Sequence, residues 1–192
     1  MKHPASRMLF SYWDALRGER AAPERGEVEP GEIRHILADT FMLEFNGKRQ
    51  AIFRLGGTRL CALFGRELKG EPLHGLWPAD AQEEMLHLID IVTDETAGLV
   101  VGVVGATNDK ATVDLEMVLL PLRHQGKTHA RIIGAMSPAS LPPWMGLHPV
   151  AHLRTVSHRV IWSSGRPVAV PSSGSTVIGT RRGLVIHRGG RL

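Results

Sequence analysis

Cysteine is nearly missing from this chain: Cys61 is the only one among 192 residues. A lone thiol cannot close an intrachain disulfide, so a buried core must hold the fold, and nothing asks for an oxidising compartment. Long apolar runs are missing too. The longest, Gly98 to Ala106, is strand-sized, whereas a membrane-spanning helix needs about 20 residues. The opening MKHPASRMLFSYWDALRGER holds no apolar stretch of the kind a signal peptide carries, so a cytoplasmic location is expected. Catalytic signatures are absent as well: there is no phosphate-binding glycine loop, no GxSxG and no GxGxxG. The ten histidines form no HExxH pattern and have no metal-spaced cysteine partner. Neither a catalytic constellation nor a metal site is expected.

Acid is also missing from the last third. The final acidic residue is Glu116; residues 1–116 hold 13 Lys+Arg against 19 Asp+Glu, and residues 117–192 hold 10 Lys+Arg and no acid. Such asymmetry points to an anionic partner for the basic part, whether nucleic acid, a nucleotide, an anionic membrane or an acidic protein. The alternative is a basic tail that aids solubility or folds against the acidic half. What remains is an ordinary globular balance, 43% hydrophobic and 22% charged, enough for one domain of about 100–150 residues with flanking pieces.

Residues 6–17 (SRMLFSYWDALR) read as an amphipathic helix with Leu9, Trp13 and Leu16 on one face, Ser6 as cap and Gly18 as stop. That stripe needs an apolar partner, and it is the candidate interface for a second copy of the chain. A charged, Pro- and Gly-rich connector follows, and Pro30 opens a short helix through Leu37. Thr40–Phe45 and Ala51–Leu55 read as strands joined at Asn46-Gly47. Thr58 caps a short helix ending at Gly65, and a longer helix runs from about Ala79 to Val92 with Met85, Leu88, Ile89 and Val92 inward. Residues 98–105 (GLVVGVVG) are continuously apolar, as in a strand covered on both faces. In 112–120, Val113, Leu115, Met117 and Leu119 point one way and Asp114 and Glu116 the other. Residues 128–136 form a third strand. The four prolines of SPASLPPWMGLHP mark a boundary, which divides the chain into a helical leader (1–39), a core (40–138) and a basic Pro/Gly/Ser-containing extension (139–192). Within the extension, 176–188 could form a β-ribbon.

The order strand–strand–short helices–longer helix–three antiparallel strands resembles a PAS domain. FRLGGTRLCALFGRELKG (53–70) resembles the segment in which a turn leads into a helix and a Gly-ended helical turn, and LPLRHQGKTHARIIGAMSP (120–138) resembles the last hairpin of the sheet. The leader SYWDALRGERAAPERGEVEPGEIRHILADTFMLE (11–44) is similar to the fifth PAS family, of bacterial stand-alone PAS-like proteins. The resemblance implies an α+β fold: a five-stranded antiparallel sheet with helices on one face, here with an N-terminal amphipathic helix and an irregular basic C-terminal extension. It also implies a non-catalytic signal-transduction module that acts through protein–protein contact, with a kinase or response regulator as partner and a homodimer as the expected state. A small-molecule sensor and a binder of anionic nucleotides or nucleic acid through the basic half are the other two readings.

The usual PAS ligand space would be lined here by Trp77, Met85, Ile89, Val101, Leu115, Met117 and Ile132. The same residues suit a filled core, and that reading is preferred here. Cofactor identity stays open. A flavin-adduct cysteine needs an Asn-Cys-Arg context on a later helix, whereas Leu60-Cys61-Ala62 reads as packing. His87, where some haem-binding PAS domains place an axial ligand, lies off the Met85/Leu88/Ile89/Val92 face and reads as solvent-facing; His74, in the preceding loop, is weaker still. Arg131 interrupts a strand and either faces solvent or pairs with a carboxylate such as Glu116. Arg154, Arg159, Arg181, Arg182 and Arg188 are the candidate anion binders, because guanidinium groups grip phosphate bidentately.

Overall fold

A computed structural model describes residues 1–125, 127–161, 177–181 and 184–187. Helix α1 spans Pro4–Arg17. Strands β1 (Thr40–Phe45) and β2 (Ala51–Gly56) form a hairpin. Helix α2 (Thr58–Phe64) and helix α3 (Gln82–Asp94) follow. The long strands β3 (Gly98–Thr107), β4 (Thr112–His124), β5 (Lys127–Pro138) and β6 (Val150–Ile161) come next, then the short β7 (Val177–Arg181) and β8 (Leu184–His187). All pair antiparallel in one sheet of order β2-β1-β5-β4-β3-β6-β8-β7. The β2-β1-β5-β4-β3 part is the five-stranded unit that the resemblance implied.

The sheet continues past that unit: within the extension, residues 150–161 form a regular strand. Residues 150–161 pair with β3 along nearly its whole length, from Gly98↔Ile161 to Thr107↔Val150. The free edge of a ten-residue apolar strand such as β3 is a row of unpaired N–H and C=O groups. β6 covers that edge and carries Val150, Leu153 and Val160 into the core. Trp144 and Met145, in the proline-bearing loop between β5 and β6, pack on the core.

Helices cover both faces of the sheet. The inner face, alternating through Leu43, Val101, Val103, Leu115, Met117 and Ile132, packs against α2, α3 and Trp77. The outer face, through Met42, Val100, Val118, Leu120, Leu122 and Ile133, packs against α1 and the turns at Arg25–Glu27, Pro30–Ile33 and Leu37–Asp39. The α1 stripe is the reason. Leu9 and Trp13 are buried against this face, and Trp13 Nε1 donates to the Pro121 carbonyl at 2.7 Å. Leu16 is partly buried beside them.

Local chemistry sets the element ends. α1 starts two residues earlier than Ser6 suggests: Pro4 occupies the first turn and His3 is the cap, its Nδ1 accepting from the Ala5 N–H at 3.1 Å. The β1–β2 loop is wider than a two-residue turn. Asn46 Oδ1 accepts from the N–H groups of Lys48 and Gln50, both at 2.9 Å, and Arg49 takes φ 59°. The cap of α2 is Gly57, not Thr58. A Cβ there would lie 2.3 Å from the Ala38 carbonyl oxygen, so only glycine lets this turn cross so close. Gly65 ends α2 in the left-handed region, as its position suggests.

Candidate functional site

The seven residues expected to line an inner pocket do come together. Trp77, Met85, Ile89, Val101, Leu115, Met117 and Ile132 belong to one buried cluster, none more than 4% exposed. Trp77 Nε1 donates to Thr155 Oγ1 at 3.0 Å, which ties the helical layer to β6. Two cavities are described, and both open on the outer face. Only Leu115 of the seven borders one of them.

The larger is a groove of about 730 Å³ beside the start of α1. Strand register builds it. Across β4, β3 and β6 the outer face carries the row Asp114–Val104–Arg154, then Glu116–Gly102–Ser157, then Val118–Val100–Arg159. Gly102 is the hollow in this grid: a Cβ there would meet Ser157 Oγ at 2.7 Å. α1 packs over β4 and β5, which leaves the β3–β6 side uncovered. Val156 there is 52% exposed, and Arg154 and Ser157 are exposed as well.

One rim of the groove is acidic and the other basic. Glu116 is occupied by the start of the chain: its oxygens accept the N–H groups of Lys2 at 2.7 Å and His3 at 2.9 Å. Burial, the largest single influence, pushes this carboxyl up, but those two N–H groups, the Ser6 hydroxyl and the amino terminus together hold it below its ordinary range. Asp114, on the same rim, is exposed. On β6, Arg159 is half-buried, and its Nε has no hydrogen-bond partner among the described residues. Asp114 and Arg154 stand two strands apart in the same row, roughly 10 Å between backbones.

The other expected site residues scatter. Arg154 and Arg159 share the outer face of β6. Arg181 pairs with Leu184 in the β7–β8 ribbon, while Arg182 and Arg188 lie outside the described residues. Arg131 pairs with Glu44, its register partner on β1, and not with Glu116. Arg54 joins the same carboxylate at 3.0 Å. The Arg131 guanidinium, then Arg54, hold Glu44 below its ordinary range despite some burial. Cys61 is half-buried, with Sγ 3.7 Å from Glu67 Oε1. Burial, with that carboxylate nearby, pushes the thiol up and keeps it protonated. His87 is exposed. His74 is buried, 8% exposed, in the turn Leu73–Leu76; burial pushes it down, and its Nδ1 has no partner among the described residues.

Two charged residues escaped the sequence reading. Asp39 is buried at 3% exposure and paired with Arg59, and Glu44 is the centre of an arginine pair. In both cases the partner lies 10 to 87 residues away, so no local pattern reveals it. Among the described residues no group of three His, Cys, Asp or Glu is placed to hold a metal ion, and no helix is long and apolar enough to cross a membrane.

No curated protein matches the chain. Several solved structures do. A light-oxygen-voltage domain studied with a flavin analogue aligns at 10% identity and TM-score 0.46, covering 57% of this chain and 83% of its own. The PAS domain of a protein from Colwellia psychrerythraea aligns at 11% and 0.43, covering 57% and 97%. A LOV protein from Rhodobacter sphaeroides aligns at 11% and 0.43, covering 60% and 71%. The family model for the PAS domain matches residues 1–137, the span of α1 and the five-stranded unit. The chain therefore belongs to the PAS domain family, whose members are sensing and interaction modules of signal transduction.

Proposed function

We propose that this PAS domain is a non-catalytic signalling module that works by protein–protein contact, through the uncovered side of its outer sheet face. A second copy of the chain is the first occupant, and a signalling protein such as a kinase or response regulator is the downstream partner. The observation that carries the reading is the groove with an acidic rim on β4 and a basic rim on β6. A two-fold contact must be self-complementary, and such a face is: turned through a half rotation, Asp114 of one copy meets Arg154 of the other. Val156, exposed on β6 beside Arg154 and Arg159, supplies apolar contact. The buried state of the inner cluster supports contact over small-molecule sensing.

The test is light scattering at tens of micromolar with a charge swap. Arg154→Asp and Asp114→Arg each dissociate the dimer, and the double variant restores it. A wild-type monomer, or single variants that leave the dimer intact, refutes self-association through this face.

A further inference from the structure

The outer face holds a second cavity at the opposite end of the sheet, over the β1–β5 pair. Its volume is about 220 Å³. Met42 and Ile133, partners in register, form the floor. Ile33 and Leu37 from the turns make one wall, and Leu55 of β2 makes the other. Leu37 is 39% exposed and Leu55 54%, so the mouth presents two large apolar side chains to water, where singly scattered ones are the rule. The lining hydroxyl, Thr40 Oγ1, already donates to the Ile36 carbonyl at 2.8 Å.

Arg25 is the one charged residue in this lining. The acids beside it in sequence are engaged elsewhere: Glu24 with Arg123 at 3.5 Å and Glu27 with Arg20 at 2.9 Å. Among the described residues Arg25 itself has no carboxylate partner, although it is only half-exposed. An apolar cleft with a single arginine, free of a carboxylate partner among the described residues, in its lining matches a ligand with an aliphatic tail and an anionic head. The planar fork of arginine suits a carboxylate. The small volume, below the ~300–1,000 Å³ of drug-sized sites, limits the tail to a few carbons.

We propose that this cleft binds a short-chain aliphatic carboxylate, its chain on Met42 and Ile133 and its carboxylate on Arg25. The site is separate from the groove, so it stands or falls independently of the self-association reading.

Two-dimensional NMR of the full chain tests it, with butanoate, hexanoate, octanoate and the matching alcohols titrated to about 10 mM, which nearly saturates a site of ~1 mM dissociation constant. Shifts are expected at Met42, Leu55 and Ile133. Affinity should rise about fourfold per added methylene until the cleft is full, the equivalent of ~0.8 kcal/mol per buried CH₂. Each acid should bind at least tenfold tighter than its alcohol. Arg25→Gln should abolish that preference, and Leu55→Glu, at an exposed position in the wall, should weaken both series and the acids by the larger factor. Equal binding of acids and alcohols, an unchanged preference in Arg25→Gln, shifts confined to other parts of the sheet, or no binding at any chain length each overturns the assignment.

Discussion

Trp13 separates two accounts of α1, and its removal gives a numerical answer. An amphipathic N-terminal helix can cover its own sheet or a second subunit. Here Trp13 is 4% exposed against the chain's own outer face, its Nε1 bonded to the Pro121 carbonyl at 2.7 Å and its ring 5.3 Å from the Arg17 guanidinium carbon. Trp13→Ala removes a buried indole, which costs about 3–5 kcal/mol. Within that sum, the Pro121 carbonyl left without a donor accounts for about 1–3 kcal/mol. Trp13→Phe keeps an aromatic ring and loses mainly the hydrogen bond, so it should cost about 1–3 kcal/mol. A domain of this size has about 5–15 kcal/mol in all, so the alanine variant folds weakly. In urea, with a slope near 2 kcal/mol per molar, the midpoint should fall by about 2 M for alanine and about 1 M for phenylalanine, with the slope unchanged. The folded alanine variant should keep the oligomeric state of the wild type. If Trp13→Ala costs less than about 1 kcal/mol yet dissociates a dimer, the stripe faces a second copy and the packing described here is wrong.

Other perturbations follow from single contacts. Gly57→Ala forces a Cβ to 2.3 Å from the Ala38 carbonyl oxygen; it should cost more than about 2 kcal/mol, while Gly31→Ala, with nothing within 4 Å, should lie within about 1 kcal/mol of wild type in the same melt. Glu116→Gln replaces the charged acceptor of the Lys2 and His3 N–H groups; it should cost about 1–2 kcal/mol and speed hydrogen exchange at those two amides, and unchanged exchange would refute the anchor. Burial holds His74 below its ordinary 6.5, so the unfolded chain takes up a proton first. Stability from this group is therefore complete above pH about 6.5 and declines as the pH falls below it. Urea midpoints at pH 8, 6 and 5 should show that decline, and His74→Phe should flatten it; a midpoint that rises between pH 8 and 6 contradicts the sign.

Much of the fold was legible because it depends on short-range rules. Strand alternation in 112–120 separates Leu115 and Met117 from Asp114 and Glu116, and the structure places them on opposite faces. Gly65 stops α2 because a left-handed residue is needed there. The match to the PAS domain follows from the order of such elements. The candidate site was far less legible. Arg154, Gly102 and Asp114 become neighbours only through the β3–β4 and β3–β6 registers, and the hollow exists because residue 102 lacks a side chain between Glu116 and Ser157.

By itself the sequence determined which residues of each helix and strand are apolar, where elements stop, and which family the chain resembles. These are properties of neighbours along the chain, with periods of 2 and 3.6 residues. The tertiary structure alone decided what covers each apolar face. It put α1 on the outer face of its own sheet, laid β6 along the free edge of β3, and gave Arg131 to Glu44 in place of Glu116. A stripe such as Leu9/Trp13/Leu16 records that an apolar partner is required. Which partner supplies it is settled by loop reach, register and the competing demands of every other exposed edge, and none of these is local in the chain.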